Sequence, residues 1–516
     1  MKTIKSLTEA ELAELPKLPV EWGWVKIGDH SFVTKLAGFE YTKHVKYQEK
    51  GDIPVIRAQN VSKEGFIPRN FVYVDKETME KLPRSRIRGG EILMVFVGAG
   101  LGNVGIVPYN KEYFLGPNVA KIDLGKNLNN KYVLLFLSSI LGFGNISGMS
   151  KATAQGSISM SNIREVAIPF VALEEQRAIV SKIELLFSEL DNGIANLKLA
   201  QEQLKVYRQA VLKKAFEGEL TRKWREQQTD LSDAGELLEK IRTEREDAAK
   251  ATGKKMNEVK HLTEVELAEL PRLPEGWRWA GLGEIINNIQ AGKSIKCDER
   301  PPKPNELGIV KVSSVSWGEF KENESKTCFS EEAFNADYII HENDFLFSRA
   351  NTIELVGACV IVKSISKCLM LSDKILKIDF SQNHNNLYSL YYLRSVFGRK
   401  EIESLATGNQ ESMRNIGQDR IKQIKFPFCS LPEQQAIVQE IETRLSVCDK
   451  IEQDIETNLE KAEALRQSIL KKAFEGKLLN ERELAEVRGA EDWEPAEVLL
   501  ERVRVEKADS GKKGRS

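Results

Sequence analysis

Apolar residues follow two rhythms along this chain. Over residues 173–220, and again over 431–478, they recur at intervals of three, four or seven, whereas elsewhere short β-branched and aromatic runs are bounded by Gly, Asn and Asp. In the first long stretch Ile183, Leu186, Leu190, Leu197, Leu204, Val211 and Ala215 form one series; in the second, Ile441, Leu445, Cys448, Ile455, Leu459, Ala462 and Ile469 form another. That spacing puts an apolar stripe on one face of a helix, with Glu, Lys, Gln and Arg around the rest. The stretches align without a gap at an offset of 258 residues, and both end in LKKAFEG. Glu175 to Phe216 and Glu433 to Phe474 are each 42 residues, or about 60 Å of helix at ~1.5 Å per residue. A lone helix of that length leaves its stripe in water. The simplest partner is the other copy, so the two are expected to pair as an antiparallel coiled coil; unrelated surface helices would not share length and ending.

The repeat reaches beyond the helices. Residues 7–29 (LTEAELAELPKLPVEWGWVKIGD) return as 262–284 (LTEVELAELPRLPEGWRWAGLGE), matching Trp22 and Trp24 with Trp277 and Trp279; residues 234–245 return as 496–507. Between these anchors, strand-like runs correspond pairwise: 52–61 with 308–315, 86–96 with 338–349, 119–124 with 375–380, and 164–170 with 422–428. Helix-like stretches intervene at 131–140 and 387–396. The expected fold is therefore α+β, with an internal pseudo-two-fold repeat. A first globular domain (1–172) precedes a long helix (173–220), then a short helix and linker (221–261, the linker at 250–260). A second globular domain (262–430), long helix (431–478), short helix and polar tail (479–516) follow, the tail from Ser510 expected to be disordered.

Charge refines this plan only locally. The chain carries 75 Lys and Arg against 76 Asp and Glu. Residues 1–172 hold a net +6 and residues 262–430 a net −2, so a polyanion site in the second domain must be a local patch. All six cysteines lie in the second half without a CxxC pair, which suggests neither a disulfide framework nor a zinc site and fits a reducing cytoplasm. The amino-terminal residues lack a secretory apolar core, and the longest apolar run, 132–144, is too short for a bilayer. A soluble intracellular protein is expected.

Candidate chemistry is thin for catalysis. The stretch FVGAGLGNVG (96–105) fits the FxGxG of S-adenosylmethionine methyltransferases and the GxGxxG of dinucleotide folds, but both need a helix after the glycines. A strand-like run with a proline follows instead, so a glycine hairpin is expected, and a self-contained methyltransferase is the lesser reading. Gly292-Lys293-Ser294 lacks the glycine a phosphate loop needs, and the five histidines show no ligand spacing. No catalytic residue, metal or bound cofactor is expected. Recognition chemistry is richer. Arg57, Gln59 and Asn60 follow an apolar strand, suiting paired hydrogen bonds to guanine or adenine edges; Lys311, Ser313 and Ser314 are their counterparts. Arg84, Arg86 and Arg88 alternate, which on an extended segment places all three on one face. Ser348, Arg349 and Asn351 follow a Phe-Leu-Phe strand. The loops 151–159, with Lys151, Gln155 and Ser157, and 405–414, with Asn409, Gln410 and Arg414, suit phosphate and base contact. A coiled-coil adaptor without DNA function remains a further alternative.

The motifs LPEGWRW (273–279), PFVALEEQRAIV (169–180) and PFCSLPEQQAIV (427–438), with the paired LKKAFEG endings (212–218, 470–476), resemble the specificity subunit of type I restriction–modification systems. The resemblance spans nearly the whole chain, in order and twice. It implies a prokaryotic, cytoplasmic and non-catalytic subunit whose two target recognition domains each read half of a bipartite double-stranded DNA site. The paired helices would space the half-sites and dock two methyltransferase subunits, and through them two translocase–nuclease subunits. S-adenosylmethionine, ATP and Mg would sit on those partners. It also suggests Lys213, Lys214, Phe216 and Glu217, with Lys471, Lys472, Phe474 and Glu475, as partner contacts; the alternative is that the phenylalanines only close the core between helix and domain. One departure is Val95-Phe96-Val97, where the second domain has the polar Ser348-Arg349-Ala350.

Overall fold

A computed structural model describes residues 7–147, 156–252, 259–329, 335–410, 413–491, 493–502 and 505. The long helices run Leu173–Phe216 and Leu431–Phe474, 44 residues each. The chain divides into two compact units, residues 1–197 with 456–516, and residues 198–455. Each unit thus holds one globular domain, the first half of the helix that follows it, and the second half of the other long helix.

The half-helices are antiparallel within each unit. In the first, Ile183 shares a core with Ile469, and further along Arg466 pairs with Asp191 and lies 4.5 Å over the Phe187 ring. In the second, Val211 and Ile441 share a core, and Arg208 bridges Asp449 (2.7 Å) and Glu452 (2.9 Å). All members of both sequence stripes are buried or half-buried. The stripe, and not the exposed ion pairs, supplies most of the attraction, since an exposed pair contributes at most about 1 kcal/mol.

Both globular domains carry the same four-stranded sheet. In the first its order is Ser31–Lys35, Val119–Leu124, Ile92–Val95, Val104–Ile106; in the second it is Ile286–Ala291, Ile375–Phe380, Phe345–Ser348, Cys359–Ile361. A smaller sheet packs beside each, Val72–Val74, Ile53–Ile56, Tyr113–Leu115, Arg86–Ile87 in the first and Ser325–Cys328, Leu307–Val310, Cys368–Met370 in the second. Gly23–Lys26 pairs antiparallel with Ala167–Phe170, and Arg278–Gly281 with Lys425–Phe428, so Trp24 faces Pro169 and Trp279 faces Pro427.

Several elements are shorter than the sequence suggests. The run 86–96 splits into Arg86–Ile87 and Ile92–Val95 because Gly89 and Gly90 turn at φ 109° and 83°, while Glu91 accepts the Arg88 and Gly89 amides. The helix expected at 131–140 runs Asn130–Ser138 and restarts as Ile140–Ser147; that at 387–396 runs Asn386–Arg394 and restarts as Val396–Leu405. At both breaks a serine, Ser139 or Ser395, accepts the amide of Gly142 or Gly398. A Cβ on either glycine would come within 2.2 Å of a backbone carbonyl, so each break is built around that glycine. FVGAGLGNVG joins two antiparallel strands, Ile92–Val95 and Val104–Ile106, with Gly98 and Gly102 at positive φ. It is a glycine hairpin and lacks the helix amino-terminus that a cofactor turn presents. The helix Ala234–Thr252 continues into the expected linker, and the polar tail lies outside the described residues.

Candidate nucleic-acid interface

The domains are fixed to the helices by a device present in both units. Gln176, two residues after Glu174, accepts the Asn129 amide (2.8 Å) and donates to the Val171 carbonyl (2.8 Å); Gln434 does the same with Asn385 (3.0 Å) and Cys429 (2.8 Å). Glu175 accepts from Trp22 Nε1 at 2.9 Å, and Glu433 from Trp277 Nε1 at 2.8 Å. Glu433 also takes Thr221 Oγ1 (2.9 Å) and Arg225 Nε (2.7 Å). Beside Glu175 the further donor among the described residues is Arg488 Nε at 3.7 Å, and burial pushes the Glu175 carboxyl up from the ordinary range, against the Trp22 hydrogen bond and Arg488 charge. The Glu-Gln pair after each Pro-Phe strand is thereby explained as a buried anchor.

In the first domain, Arg57 and Gln59 converge on the Asn70 carbonyl at 3.3 and 3.0 Å, and Gln59 is exposed. Asn60 is 0% exposed; its amide donates to the Ile67 and Arg69 carbonyls and its oxygen accepts the Arg57 amide. It closes the turn Ala58–Asn60 and has no face for a base, which corrects its sequence assignment. The arginines do not share one strand face. Arg84 lies in the 3-10 turn Pro83–Ser85 and pairs with Glu40, Arg86 pairs with Glu112 from a two-residue strand, and Arg88 is exposed. Ser157 bridges Val97, and the Ile158 amide donates to the Phe96 carbonyl, so the end of the 92–95 strand meets the 156–158 segment. Lys151 and Gln155 lie outside the described residues.

The second domain repeats this meeting. Ala350–Asn351 pairs with Met413–Asn415, which pairs with Thr407–Gln410, setting Asn351 opposite Arg414 and Ala350 opposite Asn415. Two loops more than fifty residues apart thus form one small sheet carrying Asn351, Gln410 and Arg414, with Arg349 immediately before it; the side chain of Asn409 lies outside the described residues. Arg349 Nε reaches Asn415 Oδ1 at 3.4 Å, and Arg414 donates to the Gly408 carbonyl at 2.7 Å. Sequence reasoning missed Asn415, which only the strand register places beside Arg349. Ser348 and Ser314 are both 0% exposed, Ser314 closing its turn on the Lys311 carbonyl as Asn60 does in the first domain; neither can face a base, a second correction. Ser313 donates to Glu324 at 2.6 Å. Lys311 reaches the Glu299 carbonyl at 3.0 Å and its carboxylate at 3.5 Å, while Lys326 at 2.6 Å holds the Glu299 carboxyl below the usual range.

Phe216 and Phe474 are not surface anchors. Phe474 packs edge-on to Tyr132 (5.3 Å) and Phe136 (5.1 Å), Phe216 to Tyr388 (5.2 Å) and Tyr392 (5.1 Å), all buried. They close the core between helix and domain. Lys213, Lys214, Lys471 and Lys472 stay exposed, each 3.8–3.9 Å or more from a carboxylate, with Glu217 and Glu475 as the partners of Lys213 and Lys471.

His384 lies among Phe380, Phe426 and Phe428, and burial lowers its pKa to about 3. A folded-state pKa below the unfolded value of about 6.5 means that the unfolded chain binds the extra proton. The second unit is therefore expected to lose stability as pH falls from about 6.5 towards 3. The corresponding first-domain residue is the buried Leu128. Urea midpoints measured across that window should flatten in His384→Leu relative to the parent chain.

Comparison with known proteins gives one consistent result. The sequence model described as type I restriction modification DNA specificity domain matches residues 19–199 and 274–461. The type I restriction enzyme EcoKI specificity subunit of Escherichia coli is 25% identical over 511 residues, covering 96% of this chain and 98% of its own. The StySPI specificity subunit of Salmonella potsdam is 23% identical over 509 residues, with the same coverage. The EcoBI specificity subunit of Escherichia coli is 31% identical over 217 residues, 41% of this chain and 45% of its own. Among solved structures, a chain from work on complex assembly and conformational transition of the type I R-M system superposes with a TM-score of 0.59 at 15% identity, covering 90% of this chain and all of its own. The HsdS subunit from Thermoanaerobacter tengcongensis gives 0.53 at 17% identity, covering 90% and 99%. Among the described residues no helix is long and apolar enough to cross a membrane.

Proposed function

This chain belongs to the type I restriction modification DNA specificity family and is a specificity subunit of such a system; we propose that each globular domain reads one half of a bipartite double-stranded DNA target. The observation that carries this reading is the repeated meeting of two loops at the end of one sheet strand, 96–98 with 156–158 and 349–351 with 413–415. The same scaffold thus presents different side chains in the two domains, which is what an asymmetric target requires. In the second domain Arg349, Gln410 and Arg414 would supply base or phosphate contacts, with Asn415 orienting Arg349. In the first, Arg57, Gln59, Arg84, Arg86 and Arg88 would do so, with Glu40 and Glu112 exchanged for phosphate on binding.

In this reading the chain performs no reaction and binds no cofactor. The paired helices set the half-site separation and dock two methyltransferase subunits, which carry S-adenosylmethionine and engage two ATP- and Mg-dependent translocase–nuclease subunits. The exposed lysines of the two LKKAFEG endings support such docking, as does an open groove between the half-helices of the second unit, lined by Leu204, Tyr207, Arg444, Val447 and Ile451.

The test is selection from a pool of random duplexes with the methyltransferase subunits present. A bipartite motif should be enriched, and its absence sinks the proposal. DNA affinity should fall with salt at a log–log slope of about −0.9 per phosphate contacted. Arg349→Ala with Arg414→Ala should relax sequence preference in one half-site only, at about 1–3 kcal/mol per lost base contact. A uniform loss across all sequences would instead assign these arginines to phosphates.

A further inference from the structure

In the small sheet of the second domain, the segment before Leu307–Val310 folds back along Ser325–Cys328. Asp298 and Thr327 form an antiparallel bridge and exchange both backbone hydrogen bonds, Asp298 N to Thr327 O at 2.9 Å and Thr327 N to Asp298 O at 3.0 Å. One residue beyond this isolated bridge, the antiparallel register sets Cys297 opposite Cys328, and the two thiols interact. A pair adjacent to a doubly bonded one is of the non-hydrogen-bonded kind, with Cα atoms about 4.5 Å apart and side chains on the same face. That falls within the span of a disulfide, about 4.4–6.8 Å between Cα atoms. The two side chains pack against one small core with Ile309 and Met370. Both cysteines are free thiols, Cys297 half-buried and Cys328 6% exposed.

We propose that Cys297 and Cys328 form a redox-active cross-strand dithiol, which a small-molecule disulfide such as oxidised glutathione closes to an intramolecular disulfide. The accessible Cys297 thiol attacks one sulfur of the glutathione disulfide. It forms a Cys297–glutathione mixed disulfide and releases one glutathione thiol. The Cys328 thiol then attacks the Cys297 sulfur, and the second glutathione leaves with the remaining proton. Burial, and then the neighbouring Cys297, push the Cys328 thiol up to about 12, so the second step is the slow one and accelerates as pH rises. The crosslink would fasten the segment bearing Glu299, which pairs with Lys326 and Lys311, onto the strand it already lies along.

Cys368 is an internal control. It is exposed and faces Leu307 from the side opposite Cys328, two strand spacings or about 9.6 Å away, beyond disulfide reach. The full-length chain is treated with oxidised glutathione and mapped by peptide mass spectrometry without reduction. The expected result is a Cys297–Cys328 linked peptide lighter by two hydrogens, beside a stable glutathione adduct on Cys368. In Cys328→Ser the adduct should instead persist on Cys297. A parent chain that keeps glutathione on Cys297, or whose Cys297 stays free while Cys368 reacts, overturns the proposal. Because the decisive readout is made on the parent chain, it does not depend on the variant folding.

Discussion

Glu433→Ala is expected to destabilise the second unit by about 3–5 kcal/mol, the range for removing one partner of a buried ion pair. Its carboxylate is 2% exposed and serves three donors at once, Trp277 Nε1, Thr221 Oγ1 and Arg225 Nε. Deleting it leaves the buried Trp277 indole N–H and the Thr221 hydroxyl without their acceptor and takes the ion-pair partner from a part-buried Arg225, which keeps the Gly218 carbonyl at 2.7 Å and Thr221 Oγ1 at 3.4 Å. Glu175→Ala, at the equivalent place in the first unit, should cost only about 1–3 kcal/mol. There, among the described residues, the indole of Trp22 is the one hydrogen-bonded donor, and Arg488 Nε stands 3.7 Å away. Urea denaturation followed by tryptophan fluorescence checks the order, provided the transitions of the two units are fitted separately. Equal losses would mean that the Thr221 and Arg225 contacts contribute nothing.

Phe474→Ala and Phe216→Ala should each cost about 3–5 kcal/mol in their own unit. Each removes a fully enclosed ring and two edge-to-face contacts, the latter worth about 0.5–1.5 kcal/mol apiece beyond area. Lys213, Lys214, Lys471 and Lys472 changed together to alanine should move each unit by no more than about 1 kcal/mol, well below either phenylalanine variant, since each unit carries two of them and a single exposed substitution usually stays within about 0.5 kcal/mol. The same lysine variant should weaken co-purification with the methyltransferase subunit. A chain that loses stability but still binds would reverse the roles given to the two halves of LKKAFEG.

How much was legible in the sequence depended on whether the signal was periodic or positional. The strands 119–124 and 375–380 and the starts of both long helices at Leu173 and Leu431 agree with the pattern, because their apolar positions are buried or half-buried; both helices end at Phe216 and Phe474, four residues before the expected 220 and 478, where a glycine at positive φ follows. Asn60 and Ser314 close tight turns: a small polar residue just after an apolar strand serves a base edge or such a turn equally well, and only its burial distinguishes the two. Ser348 is instead the last residue of its strand and is enclosed there. The Ser139 and Ser395 breaks escaped because they leave the apolar period intact, while a serine followed three residues later by a glycine costs helical propensity only modestly and reads equally well as a tolerated interior pair.

By itself the sequence determined the duplication and two helical stripes that each demand a partner, with a domain following each repeat's entry motif, since apolar area on a fixed period admits few ways to be covered. Only the tertiary structure decided which polar residues are available. Strand register joined Arg349 to Asn415 and Cys297 to Cys328 across stretches of chain that carry no common pattern. Burial withdrew Asn60 from solution and enclosed Phe216 and Phe474. Periodicity records what a segment does along its own axis; the neighbour across a sheet is set by how the chain returns, and no local spacing encodes that.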